Sequence, residues 1–236
     1  MKRIITALVL LSSLGFAREY YAKLNPINTY NVKAAVSGQI VYVNYEVESN
    51  TANNSIILKI DSNIDKEDLK QSLVKLKNLK DILSIEKGTL QSYQKISSKS
   101  KFEKNNQKIK ILNITSSVSE LETRIATLKN QITKKTLLEQ NNYVYDIAVE
   151  VGDYVSPGVL LYSSMDLSAG KLEIFIPISN ASDIKTKTIY LDGLQSDLKI
   201  SKLYNIADST HISSYKCEII IPSPKQFSQL IKIEFK

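Results

Sequence analysis

The sequence predicts an elongated chain of mixed α and β structure, in which a small β-sandwich is split by an antiparallel α-helical coiled-coil hairpin and followed by a small β-barrel. Three observations predict it. Residues 64–135 are polar, free of proline and carry apolar residues at heptad spacing. Short segments of the form strand, turn, strand lie on both sides of that stretch. From Lys171 onward the chain reads as β, in short apolar runs separated by Asn, Asp, Gly, Ser and Pro.

The hairpin rests on its apolar spacing. In its second half Ile111, Ile114, Val118, Leu121, Ile125, Leu128 and Ile132 recur by alternating steps of three and four, the seam of a coiled coil rather than a broad globular face. In its first half Leu69, Leu76, Leu83 and Leu90 recur every seven residues, with Leu73, Leu79 and Tyr93 filling the alternate positions. Lys80 and Lys87 interrupt one possible seam there, so the first arm is the less regular. The run Ser97-Ser98-Lys99-Ser100-Lys101 is polar and without apolar period, and reads as the turn. Asp65 reads as the helix N-cap. Arms of roughly 30 residues extend about 45 Å, which suits a spacer or a docking rod. The seam residues expected to hold the arms together include Leu76, Leu83, Val118, Leu121, Ile125 and Leu128.

The β segments flanking the hairpin are each too small to bury a core alone. Before it, 39–47 alternates with Val41, Val43, Tyr45 and Val47 on one face, Asn50–Ser55 is a turn, and Ile56–Ile60 is a second strand. After it, Tyr143–Val151 and Val159–Ser163 flank a double turn, Gly152–Gly158. Together the segments make one core if the hairpin is an insertion. Gly38, Gly152, Asp153 and Gly158 read as structural turn residues, the glycines relieving strain at positive φ. Downstream, Lys171–Ile176, Thr188–Leu191, Leu198–Leu203, Tyr215–Ile221 and Leu230–Phe235 are candidate barrel strands, with Cys217 in the core. The tyrosine-rich segment 18–31 is extended and adds a strand to a later sheet; Pro26 blocks a helix there.

Residues 1–17 read as a signal peptide. Lys2 and Arg3 form the basic start, Ile4–Leu11 the apolar run, and Gly15-Phe16-Ala17 the cleavage site. The run is short for a span of about 20 residues, so cleavage after Ala17 is expected, with an uncleaved anchor as the alternative. The expected organisation is 1–17 signal, 18–31 extended segment, 32–63 with 136–166 the split β-domain, 64–135 the hairpin and 167–236 the barrel. A single cysteine excludes an intramolecular disulfide. The net charge of +7 comes from basic residues alternating with acids along the helices. That is a solvated surface without a basic–aromatic platform, so no nucleic-acid partner is expected.

At this point the residues resemble a family. The stretch 144–160, with its Gly152-Asp153-x-Val155-x-x-Gly158 turn, resembles the second half of the biotinyl/lipoyl-like domain of periplasmic adaptors. These are the HlyD-type membrane fusion proteins of tripartite efflux and secretion systems. Residues 34–41, closing at 58–61, look like the first half, 172–177 like the opening strand of the adaptor barrel and 231–235 like its closing strand. Departures are Glu48 and Asn54 at the usual first-half turn glycines and Glu139-Gln140 where Ala-Pro often stands. The family's membrane-proximal domain would be short or reduced. The resemblance implies a non-catalytic adaptor in the periplasm, held at the inner membrane through its transporter. It would bridge an inner-membrane transporter of RND type and an outer-membrane TolC-type channel for export of small molecules. It also implies a homo-oligomer, a hexamer or trimer of dimers, and no cofactor. For channel docking at the hairpin tip the implied residues are Leu90, Ile96, Ser98 and Ser100, a loose form of the family's pattern with no arginine among them.

The residues offer little to other classes. His211 is the sole histidine and reads as a loop residue, without the nucleophile and orienting acid that catalysis requires. One His and one Cys do not make a metal site. A swinging-arm carrier needs a lysine in a strand turn, and neither Asn50–Ser55 nor Gly152–Gly158 contains one. The remaining alternative is a structural, self-associating coiled-coil protein of the envelope with no transporter.

Overall fold

The computed structural model describes residues 19–236; the expected signal peptide lies outside the described residues. In chain order the elements are β1 (Glu19–Lys23), β2 (Asn25–Lys33), β3 (Gly38–Val43), β4 (Asn50–Thr51), β5 (Ser55–Ile60), α1 (Asn63–Lys95), α2 (Lys101–Lys134), β6 (Thr136–Glu139), β7 (Tyr143–Ile147), β8 (Tyr154–Val155) and β9 (Leu160–Pro177). After these come β10 (Ile189–Leu191), β11 (Leu194–Gln195), β12 (Ile200–Leu203), β13 (Ser214–Pro222) and β14 (Leu230–Phe235). They form two units, one of residues 31–163, the other of 164–236 with the described residues up to Tyr30.

In the unit 31–163 one sheet runs in the order β6-β5-β3-β8, with neighbouring strands antiparallel. The short β4 pairs with β7, Asn50 opposite Val144. The core draws on both sides of the helical insertion: Ile40, Val43, Ile57, Leu58 and Ile60 from before it, and Val144, Val149, Val155, Leu161 and Tyr162 from after it. Burial of both sets together is what makes so small a sheet stable. The expected alternation over 39–47 is broken. A bulge between Ile40 and Tyr42 shifts the register, so Val41 stands 49% exposed while Ile40 and Val43 both turn inward. An extra residue in one strand of a ladder inverts the faces of those beyond it. The strand ends at Val43, and Tyr45–Val47 forms one 3-10 turn.

The helices form without interruption because nothing in them breaks a helix except Gly88, whose position is open. α1 begins at Asn63, with Ser62 as N-cap and the Asp61 carboxylate accepting from the Asn63 N–H at 2.9 Å. Asp65 is therefore inside the first turn and not the cap. The two helices run antiparallel, since Arg124–Asp68, Lys80–Glu122 and Lys110–Glu86 pair a rising number in one with a falling number in the other. The alternate positions of the first arm differ from the expectation at one point: Ser72 is 7% exposed and faces α2, while Leu73 is 43% exposed. The inward set 69, 72, 76, 79, 83 keeps the three–four rhythm, and that rhythm rather than hydrophobicity decides which residue turns in.

In the other unit one sheet has the order β1-β14-β10-β11, so the tyrosine-rich segment joins the chain's last strand, Tyr20 opposite Ile233. β13 pairs with the second half of β9, and β12 pairs with the other edge of β13. Leu172, Ile174, Ile176, Cys217, Ile219 and Ile233 are at the centre of its core. Burial pushes the Cys217 thiol up to about 12, which leaves it a small apolar residue with little thiolate. The separate strands expected at 159–163 and 171–176 are one long strand, β9. Gly170 does not end it. A Cβ there would lie 2.6 Å from Leu24 Cδ1, so this glycine serves close packing. His211 is more than a loop residue: its ring stacks on Phe175 with centroids 3.4 Å apart, and its Nδ1 lies 3.1 Å from the Asp208 carboxylate.

Candidate docking hairpin

The far end of the hairpin is set by local chemistry. Ser100 is the N-cap of α2: its Oγ accepts from the Glu103 N–H at 3.2 Å, and the Glu103 carboxylate accepts from the Ser100 N–H at 2.9 Å. Each group satisfies a donor that the helix start would leave free. Lys99 Nζ reaches the same carboxylate at 2.7 Å and sits 4.7 Å from the centre of the Tyr93 ring. The Lys99 ammonium and the Ser100 donors together hold the Glu103 carboxyl down to about 2, and Glu103 in turn raises Lys99.

Of the four tip residues the resemblance points to, three lie at the turn. Ile96 is exposed just past the end of α1 and Ser98 is exposed in the turn. Ser100 has its hydroxyl committed to the cap. Leu90 is half-buried in α1, about 9 Å along the helix from Ile96. Phe102, which that pattern does not include, is 73% exposed in the first turn of α2.

Along the helical pair, Val118, Leu121, Ile125 and Leu128 of α2 are buried, and Leu76 and Leu83 of α1 are half-buried on the facing side. Toward the tip the facing residues become polar. Gln107 is buried, donating from Nε2 to the Glu86 carboxylate at 2.6 Å and to the Glu86 carbonyl at 2.9 Å. Lys110 Nζ adds a contact to Glu86 at 2.6 Å, and these two partners hold the Glu86 carboxyl below its usual range. At the other end Lys135, just past α2, forms an ion pair with Asp65 of α1 in which both side chains are largely buried.

The turn residues fasten the two β halves on which the hairpin stands. Gly152, at φ +106°, donates its N–H to the Ile40 carbonyl at 2.9 Å, and the Asp153 carbonyl accepts from the Ile40 N–H at 2.8 Å. The Asp153 carboxylate accepts from the Glu150 N–H at 2.8 Å and closes the turn. The Gly158 N–H donates to the Ala34 carbonyl at 2.9 Å. Gly38 permits close approach: a Cβ there would stand 2.5 Å from Ile60 Cγ2. Among the described residues there is no group of three or more His, Cys, Asp or Glu placed to hold a metal ion. Among them, too, no helix is long and apolar enough to cross a membrane.

No family model matches the chain, and no curated protein matches it in sequence. Its fold matches solved structures. MacA from Actinobacillus actinomycetemcomitans superposes with a TM-score of 0.71 at 18% identity, over 94% of this chain and 79% of that one. A MacA–MexA chimera containing the Pseudomonas aeruginosa MexA α-hairpin domain gives 0.69 at 15% identity, over 94% and 83%. The membrane fusion protein Spr0693 from Streptococcus pneumoniae R6 gives 0.65 at 8% identity, over 93% and 99%. These neighbours are membrane fusion or periplasmic adaptor proteins, and the chain has their fold, mixed α and β with two long helices.

Proposed function

We propose that this chain is a non-catalytic periplasmic adaptor that bridges an inner-membrane transporter, of RND type, and an outer-membrane TolC-type channel in the export of small molecules. The observation that carries the reading is the long helical pair inserted between two β half-motifs that hydrogen-bond to each other at Ile40, Gly152 and Asp153. A rigid mount of this kind holds a coiled-coil hairpin at a fixed angle, and a lipoyl-like domain so built can pack side by side in a ring, a hexamer or trimer of dimers. The fold shared with membrane fusion proteins supports the reading. In it, the turn 96–100 meets the channel, and the β-barrel and its neighbours meet the transporter.

The test is site-directed cross-linking in the native envelope. Ser98→Cys places a reactive thiol on the exposed turn, and the buried Cys217 does not compete for the reagent. Adducts with an outer-membrane channel protein are expected; adducts with other copies of this chain alone would refute docking. The exposed Ile85, Phe102, Ile109 and Leu112 near the tip favour one second reading, a self-associating envelope rod with no transporter. Deleting the gene separates the two: the adaptor reading predicts lost export, and the rod predicts unchanged export.

A further inference from the structure

In the unit 164–236, the segment Ile184–Thr188 and the run Gln195–Leu203 enclose a groove of about 680 Å³. Its rim carries Lys185, Lys187 and Lys199 against a single carboxylate, Asp197. Of the ten lysines among the unit's described residues, four are tied to its glutamates, and three of the other six line this groove. All four of its glutamates, Glu19, Glu173, Glu218 and Glu234, are bonded to lysines of the sheets, at 2.8–3.1 Å. Lys185, Lys187 and Lys199 have no ion-pair partner among the described residues. Three uncompensated ammonium groups around one concavity create a positive potential that an anion neutralises.

We propose that this groove binds a phosphate-bearing anion. Lysine ammonium groups act as point charges toward phosphate oxygens, and Thr188 and Ser201 are among the lining residues. The Ser196 and Thr186 hydroxyls are already committed, donating to the Ile189 and Asp183 carbonyls, so their oxygens fix the wall rather than the ligand. Leu198 and Ile200 add apolar surface to the lining. The volume is that of a small-molecule site, roughly 300–1,000 Å³. Two sources offer this chemistry: a free phosphorylated compound, or the headgroup of an anionic phospholipid.

The experiment uses the full chain with inorganic pyrophosphate in calorimetry, and with phosphatidylglycerol vesicles against phosphatidylcholine vesicles in co-sedimentation, both at about 0.15 M salt to screen diffuse attraction. The groove variant is Lys185→Gln/Lys187→Gln/Lys199→Gln. The control is Lys23→Gln/Lys202→Gln/Lys225→Gln, which removes the same charge from lysines of the same unit that lie outside the groove and have no carboxylate partner. A third variant, with arginine at the three groove positions, keeps the charge. The expected result is binding that falls about tenfold in the groove variant and stays within about twofold in the control and the arginine variant. Groove-dependent binding of pyrophosphate identifies a free phosphate compound, and groove-dependent binding of the phosphatidylglycerol vesicles alone identifies a headgroup. Equal losses in the groove variant and the control, or no binding of either probe, would overturn the proposal.

Discussion

The two ends of the hairpin are held by different forces. At the root, Val118, Leu121, Ile125 and Leu128 are buried against α1, a largely buried ion pair joins Asp65 to Lys135, and the β halves interlock beneath. Toward the tip the arms are joined by polar contacts, Gln107 and Lys110 on Glu86, and beyond them the turn is closed locally by the Ser100–Glu103–Lys99 cap. Apolar burial neither titrates nor is weakened by charge screening, whereas exposed charge pairs contribute little and are screened. The root is therefore the stable end, and the tip opens first in local fluctuations. Exposed apolar residues occur at both ends but are more numerous toward the tip: Ile64, Leu73 and Val74 on the root side, and Ile82, Ile85, Ile96, Phe102, Ile109 and Leu112 on the tip side. In the proposed adaptor role, a rod that meets its partner at the tip has reason to be rigid at the root.

The largest test of this contrast is at the root. Leu121→Asp places a charge where it has no partner and removes a buried side chain; the expected cost is at least about 3 kcal/mol, read as lost helical signal in thermal melts. Asp at Leu112, an exposed tip-side position, leaves the melt unchanged. Beneath the hairpin, Gly152→Val forces a β-branched residue to φ +106° and costs roughly 1–3 kcal/mol. Ser100→Val at the tip removes only a cap, about 1 kcal/mol. Equal melting temperatures for these two variants would contradict the division.

The polar layer sharpens the comparison further. Glu86→Leu takes the carboxylate from the buried Gln107 amide, leaving it only the backbone carbonyl of residue 86, and lowers the melting temperature. The double variant Glu86→Leu/Gln107→Leu replaces both by apolar groups and restores it. A double variant no more stable than the single would show that the layer does not join the arms. The smallest effect is in pH. The Glu103 carboxyl is lowered in the folded state, so its contribution is full above the ordinary carboxylate range and is lost as pH falls toward about 2. NMR titration of Glu103 is expected to show the cap intact at pH 4 and released only below about 3. Release at the ordinary carboxylate value would contradict the Lys99 and Ser100 contacts.

How far the sequence discloses this depends on whether a signal is local. The seam of α2 is legible because its apolar residues keep the three–four rhythm without a gap. The seam of α1 is only partly legible. Ser72 and Glu86 occupy inward positions as polar residues, and Leu73 beside Ser72 is the more attractive reading by hydrophobicity alone. The bulge at Val41 leaves no trace in the alternation, because it arises from pairing with β5. Lys135 on Asp65 joins residues far apart in sequence, which no spacing announces. The cap at the tip is different: Ser100-x-x-Glu103 is a local signature that marks the start of α2 directly. The groove lysines also carry no motif, since their meaning comes from where the unit's glutamates are spent.

The central claim is that this chain joins a transporter to a channel. The most direct measurement is a mild-detergent capture of the tagged protein from its native envelope, with the co-purifying proteins identified. The account predicts recovery of an inner-membrane transporter together with an outer-membrane channel, and the transporter's identity would report whether it is of RND type. Recovery of this chain alone, as a defined oligomer, would contradict the account and leave the structural rod in its place.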